Sequence, residues 1–400
     1  MKIAVTTLFG LESCVRDDLT EHGFDKESIT ISDGLVTVAT TDASFASDVA
    51  RTNMWVRRGE RVLLEIADFD AKEFDEFYEK TASINWNEYI PAGFAITVNG
   101  YSRKSALFGI SACQSLAKKA IVRSICRSRR LPEDALIAED RNKGEVRIQF
   151  GIVKDHVSMM IDTSGDGLHK RGYRPLTREA PIRETLASGM VSIARFVPYG
   201  YETLVDPFCG SGTILIEAAM MACNMAPGRN RHFAYESLPY IGVSARNNAR
   251  EEALSVEDTT PSDDIYFFGS DIDRRAVADA RKNAETAGVS DFIRFSVADA
   301  ATRTPEALKS LTGSDRQLIL TNPPYGGRLL TVEEADEIYK MIARTYLTPD
   351  GLCRKGIRLS VITPDDTFEQ TTGFKADKRT KLYNGNIKCQ LNNYYKLNRR

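Results

Sequence analysis

Hydrophobic and polar positions follow two different periods in the two halves of the chain. Up to about residue 155 the pattern gives short alternating runs separated by amphipathic stretches. Strands are expected at 3–7, 28–32, 35–39, 61–69, 94–99, 145–150 and 156–162, with Asp33-Gly34 as a hairpin turn. Helices are expected at 11–22, 42–53, 74–81 and 110–127. In the last of these, Cys113, Leu116, Ala117, Ala120 and Ile121 recur at helical spacing. This is an α+β pattern built from small antiparallel units. Residues 163–180 are rich in Gly, Pro, Lys and Arg and read as a basic linker.

From residue 181 the pattern changes. A helix at 181–196 precedes strands at 203–205, 265–270, 293–297, 318–321 and 358–362, which alternate with helices at 211–223, 274–287 and 333–346. Strands alternating with helices indicate a parallel α/β sheet. The chain then departs from it. Residues 378–382 and 387–395, joined by a turn through Asn384-Gly385, read as an antiparallel hairpin. No stretch reaches the apolar length of a membrane span.

The apolar run Leu318-Ile319-Leu320 ends in Asn322-Pro323-Pro324-Tyr325. Two prolines continue neither a ladder nor a helix, so they fix a stiff extended turn. An amide and an aromatic ring flank that turn, which suits a flat molecule bearing an amino group. Taken alone, the tetrapeptide fits an ordinary strand-to-loop turn equally well.

The sheet's first strand leads into Asp206-Pro207-Phe208-Cys209-Gly210-Ser211-Gly212-Thr213. The glycines allow close ligand approach at a helix N-terminus. A dinucleotide fingerprint requires a third glycine or alanine where Leu215 stands. A carboxylate at Asp206 repels a pyrophosphate and attracts an ammonium. S-adenosylmethionine carries an ammonium and a sulfonium but no phosphate, so the residues favour it over NAD. Asp271, ending the second strand, suits the ribose hydroxyls, with Asp273 as the helix cap. Asp299, after the third strand, suits an adenine amine. Cys209 reads as a small buried residue rather than a nucleophile.

Charge then changes the picture. The net charge is -2, so the whole chain is no polycation. Yet between Tyr101 and Arg130 stand Arg103, Lys104, Lys118, Lys119, Arg123, Arg127, Arg129 and Arg130 with no acid among them. Lys119, Arg123 and Arg127 are four residues apart and share one helix edge. That edge, with Lys170 and Arg171 of the linker, is the expected RNA-binding surface. The long insertion between Cys223 and Ile265 carries Arg229, Arg231, His232, Phe233 and Tyr235. It fits either a second RNA contact or a structural lid. Scattered cysteines and histidines argue for reduced thiols in a cytoplasmic protein without a metal.

Asp206 to Ala219, Gly269-Ser270-Asp271-Ile272-Asp273 and Asn322 to Tyr325 resemble the S-adenosylmethionine-dependent amino-methyltransferases. Leu168-His169-Lys170-Arg171-Gly172-Tyr173-Arg174 and Ala180 to Leu186 are similar to segments of the THUMP-containing RNA guanine-N2 methyltransferases. The bacterial enzymes acting on large-subunit ribosomal RNA are the nearest group. The resemblance implies an α/β chain of four parts. These are a ferredoxin-like lobe (1–55), a THUMP RNA-binding domain (56–162), the linker (163–180) and a Rossmann-like class I methyltransferase domain (181–400) whose last strand is antiparallel. It implies that Asp206, Phe208, Gly210, Gly212, Asp271, Asp299 and Asn322 bind the donor, with S-adenosylhomocysteine as product. Asn322, Pro323 and Tyr325 would hold the target amine. The implied partner is RNA, ribosomal ahead of transfer RNA; neither a metal, a membrane nor an oligomeric state is implied. Alternatives from the residues alone are the same chemistry on DNA or a protein glutamine, and a non-catalytic RNA-binding factor.

Overall fold

The structure is a computed structural model that describes every residue except 134, 175–181, 198–201, 261–266, 326–329, 365 and 398–400. Pro175 and Arg178 of the linker, Pro181 at the start of an expected helix and Ile265 of an expected strand lie outside the described residues. The chain divides into two compact units. The first comprises Met1–Thr7, Arg16–Leu168 and Arg231–Glu252; the second comprises Leu8–Val15, His169–Asn230 and Ala253–Arg400.

The N-terminal elements are β1 (Lys2–Thr7), α1 (Glu12–Glu21), β2 (Ile29–Ser32), β3 (Leu35–Ala39), α2 (Phe45–Trp55), β4 (Gly59–Asp70), α3 (Phe74–Ser83), β5 (Ala95–Arg103), α4 (Ile110–Ser128), β6 (Glu145–Val153) and β7 (His156–Asp162). Their strands form one sheet in the order β2-β3-β1-β4-β7-β6-β5. The expected antiparallel pairing holds except at one place: β5 and β6 are parallel, Ala95 opposite Glu145. The reason is the connection, because α4 carries the chain back across before β6 begins.

The second half contains α5 (Glu184–Ile193), β8 (Thr203–Asp206), α6 (Thr213–Ala222), α7 (Gly242–Ser255), β9 (Phe267–Asp271), α8 (Arg274–Ala287), β10 (Ile293–Val297), α9 (Pro305–Thr312), β11 (Gln317–Thr321), α10 (Val332–Tyr346), β12 (Ile357–Pro364), α11 (Thr367–Thr372), β13 (Lys378–Asn384) and β14 (Ile387–Tyr394). The sheet order is β10-β9-β8-β11-β12-β14-β13. Its first five strands are parallel, and β14 joins β12 antiparallel. Both faces are covered, as a parallel sheet requires. Along β11, Leu318 and Leu320 belong to one core with α5, α6 and α8. Ile319 between them faces the other core, with α9, α10 and α11. The period of two along a buried strand thus builds a three-layer α/β unit.

The insertion after Cys223 is largely structural. Residues 231–252 belong to the first unit. Arg231 donates to the carbonyls of Asp166 and Gly167. The backbone N–H groups of Ala234 and Tyr235 reach the carbonyls of Ser164 and Thr163. Phe233 and Tyr235 are buried, so the expectation of aromatic RNA contacts there does not hold for those two rings.

Candidate active site

The parallel strands β8, β9 and β11 deliver Asp206, Asp271 and Asn322 to one end of the sheet, where open α/β sheets bind ligands. Between β8 and α6 the backbone turns through two glycines with positive φ, Gly210 at +51° and Gly212 at +83°. They differ in kind. A Cβ on Gly212 would lie 3.0 Å from the Phe295 ring and 3.1 Å from Ala280, so Gly212 permits close packing of the loop onto the unit. A Cβ on Gly210 would meet nothing within 4 Å, so this residue leaves an open cradle over the loop. Asn283 of α8 donates to the Ser211 carbonyl at 3.0 Å and holds the loop from below.

Asp206 is buried, and one of its oxygens accepts from Thr321 Oγ1 at 2.7 Å and from the Phe208 N–H at 3.1 Å. Burial raises its pKa from 3.8 to about 7; the two hydrogen bonds oppose this, and the nearby Asp271 adds to it. Asp271 accepts the Gly210 N–H at 2.9 Å on one oxygen and the Asp273 N–H at 2.9 Å on the other. Each oxygen keeps a lone pair for a hydroxyl donor. Asp273 is the cap of α8, as expected, accepting from the Arg275 N–H. Asp299 is exposed and caps a short 3-10 turn through the Ala301 N–H. Among the described residues Asp206, Asp271 and Asp299 form no ion pair with a Lys or Arg. A cationic, phosphate-free ligand fits such a crevice, and a pyrophosphate does not. Cys209 is buried, and burial pushes its thiol well up, away from nucleophilic use.

Asn322 is half-buried, Pro323 buried, and the Asn322 amide has no hydrogen-bond partner among the described residues. Phe208 packs partly buried against the core that holds Tyr325. Tyr325 itself is only 9% exposed, and its hydroxyl accepts from Asn384 Nδ2 at 3.0 Å. Its ring is therefore a wall of the core in this conformation.

Four residues at this end were not anticipated. Thr321 couples Asp206 to the Asn-Pro-Pro-Tyr turn. Asn384 reaches the turn from β13. Asn283 fixes the loop. Ile272, between Asp271 and Asp273, is 73% exposed and offers an apolar surface beside them. Only Ile272 carried a signal, as an apolar residue between two acids at a strand end. The others depend on contacts between residues 59 to 115 positions apart.

The expected RNA-binding cations fare unevenly. Arg171 is a correction: it is buried, 4% exposed, with its guanidinium against Glu217 inside the second unit. An adjacent buried pair joins Arg174 to Glu184 at 2.9 Å, and Arg174 also donates to Thr213 Oγ1 at 3.0 Å. These motif residues brace the linker and the start of α6 from within. Lys170, beside them, is exposed. The acid-free edge of α4 is not uncompensated either. Arg123 pairs with Glu79 and Glu133, Arg127 with Glu133, and Lys118 with Glu139. The acids come from α3 and from the loop after α4, which local composition does not reveal. Arg103 donates to the Asp33 carbonyl and lies over the Tyr101 ring. Lys104, Lys119 and Arg130 are exposed.

A family model described as "RMKL-like, methyltransferase domain" matches residues 171–393. The chain belongs to this methyltransferase family. A second model, the RlmL ferredoxin-like domain, matches residues 2–63. The chain is 35% identical over 394 residues to the putative RNA methyltransferase YpsC of Bacillus subtilis (strain 168), covering 98% of this chain and 95% of that protein. It is 32% identical over 396 residues to the ribosomal RNA large subunit methyltransferase K/L of Vibrio parahaemolyticus. That match covers 98% of this chain and 53% of the relative, so the chain spans about half that protein's length. A crystal structure of a putative methyltransferase complexed with SAH superposes with a TM-score of 0.84 at 32% identity, covering 100% of this chain and 99% of the other. Methyltransferases of this family use S-adenosylmethionine. The donor expectation stands with the family, and the open, carboxylate-lined cradle fits that donor.

Proposed function

We propose that this methyltransferase transfers a methyl group to the exocyclic N2 of a guanine in RNA, ribosomal large-subunit RNA ahead of transfer RNA. The observation that carries the reading is the hydrogen bond from Thr321 to Asp206, which couples a donor-binding acid to the residue preceding Asn322. The names of the relatives, a putative RNA methyltransferase and a large-subunit ribosomal RNA methyltransferase, support RNA as the class of substrate.

In this reading Asp206 faces the donor's ammonium, Asp271 its ribose and Asp299 its adenine, with Gly210, Gly212 and Phe208 lining the cradle. The donor supplies an activated methyl group, so the chain needs neither a nucleophile nor a metal. The chain's own task is positioning. An exocyclic amine is a poor nucleophile because its lone pair is delocalised into the ring. Accepting the amine's hydrogens on the Asn322 side-chain oxygen and the Pro323 carbonyl turns that lone pair toward the methyl group. The same acceptors stabilise positive charge developing on nitrogen. The base must be unpaired or flipped. Residues 1–55 and 56–162 are read as the ferredoxin-like lobe and THUMP domain that hold the RNA, in a cytoplasmic protein.

The test incubates the full chain and labelled donor with 23S rRNA transcripts, tRNA transcripts, duplex DNA and a glutamine peptide, followed by nucleoside mass spectrometry. N2-methylguanosine from RNA is the expected product. Labelling of DNA or peptide alone overturns the reading, and full activity in Asn322→Ala overturns the mechanism.

A further inference from the structure

The hairpin of β13 and β14 is the part of the second unit that the site described above touches but does not use. Because β14 runs antiparallel to β12, with Cys389 opposite Pro364, the Asn384-to-Ile387 turn lies beyond the carboxyl end of the parallel strands. That is the end holding the donor crevice. Asn384 points inward to the Tyr325 hydroxyl. Its neighbour Tyr383 points to the other face, opposite Lys388.

This second face has its own chemistry. From Lys378 to Lys388 the segment holds Lys378, Arg379, Lys381 and Lys388 and no acid. Lys381 Nζ lies 5.5 Å from the Tyr383 ring centroid. The Phe9 ring stands edge-on to Tyr383 at 5.9 Å and is 44% exposed. The backbone forces Phe9 there. Gly10 has φ +95°, and a Cβ on it would come 2.2 Å from the Lys381 carbonyl oxygen, so only glycine lets the two segments meet. The acid nearby in sequence, Glu12, accepts the Gly10 N–H. Arg379 is engaged by Glu369.

Two partly exposed rings interleaved with lysines are the means by which proteins hold unpaired nucleic acid: bases stack on the rings while cations track the backbone. We propose that Phe9, Lys381 and Tyr383 bind the unpaired RNA nucleotide immediately flanking the methylated base, a proposal that rests on the RNA reading above. The bond from Asn384 to Tyr325 ties this platform to the Asn-Pro-Pro-Tyr turn, so the flanking nucleotide sets where the target amine arrives. The platform belongs to the methyltransferase unit and acts in addition to the cations of α4.

The test uses the full chain with a 23S rRNA transcript and a single-stranded RNA oligonucleotide as probes. Tyr383→Ala and Phe9→Ala are expected to raise the Kd for both RNAs and the KM of transfer about tenfold. The affinity for S-adenosylhomocysteine stays unchanged. Lys381→Ala is expected to lower the slope of log K against log salt by about 0.7. Tyr383→Leu keeps the packing on Phe9 but removes the stacking face, so its tenfold loss with an unchanged melting temperature separates recognition from misfolding. If the wild type binds RNA and all four variants match it, the platform is refuted while the RNA reading survives. If the wild type binds no RNA, both fall.

Discussion

Asp206 offers the sharpest quantitative test, because in the proposed reading one buried carboxyl links donor binding, pH and stability. Its pKa in the ligand-free fold is about 7 against 3.8 for an ordinary aspartate. The sign follows from the direction. The folded state holds the proton more tightly than the unfolded chain, so ionisation opposes folding. Stability therefore falls as pH rises from about 4 toward 7, and the full cost, about 4 kcal/mol at most, is present above pH 7. A cationic donor reverses the preference, since only the carboxylate attracts it. With a group titrating near 7, the apparent Kd rises about fivefold from pH 7 to 6 and about tenfold for the next unit down. Calorimetry with S-adenosylhomocysteine, which carries the same amino-acid ammonium, in two buffers of different ionisation enthalpy reads both the affinity and the released proton. Asp206→Asn is expected to abolish the acid limb and weaken binding at pH 7. The same variant should raise the melting temperature of the ligand-free chain at pH 8 by several degrees and leave it unchanged near pH 4. An acid limb that persists in Asp206→Asn, or a variant less stable than wild type at pH 8, refutes the reasoning.

Thr321→Val removes a hydrogen bond that holds the Asp206 pKa down. It is expected to move the acid limb of donor binding to higher pH while leaving the fold intact by circular dichroism. Arg171→Met removes the guanidinium beside the buried Glu217 side chain, leaving the Tyr173 hydroxyl bonded to it, and is expected to cost about 3–5 kcal/mol in urea unfolding, with part recovered on adding Glu217→Gln; a loss under 1 kcal/mol contradicts the buried pair. Arg123→Glu with Arg127→Glu is expected to weaken RNA binding and flatten its salt dependence. Because Glu79 and Glu133 already neutralise both arginines, Glu133→Gln alone is expected to strengthen RNA binding, and an unchanged affinity in both variants moves the RNA surface off α4.

How much of this was legible depends on the range of the interaction involved. The Asp273 cap and the glycine turn at 210–212 are local features, set by residues within a few positions of one another, and the sequence pattern placed them. The apolar run Leu318-Ile319-Leu320 likewise marks β11, whereas the core that each of its side chains joins comes from the fold. α7 was missed because its sequence lacks an apolar stripe; it buries little beyond Ala249 and Ala253. The parallel pairing of β5 with β6 was missed because strand direction belongs to the connection rather than to either strand.

The site divides along the same line. By itself the sequence determined the chemistry on offer: three acids at successive strand ends, an amide and a ring around two prolines, and a run of cations with no acid among them. Tertiary structure alone decided what those groups are free to do. It buried Arg171 against Glu217, paired Lys118, Arg123 and Arg127 of α4 with acids from elsewhere, turned the Tyr325 ring into the core through Asn384, and raised Asp206 to about 7. The physical reason is common to all four. Desolvation and charge pairing depend on which distant residues share a space, and a pattern read along the chain carries no distances across it.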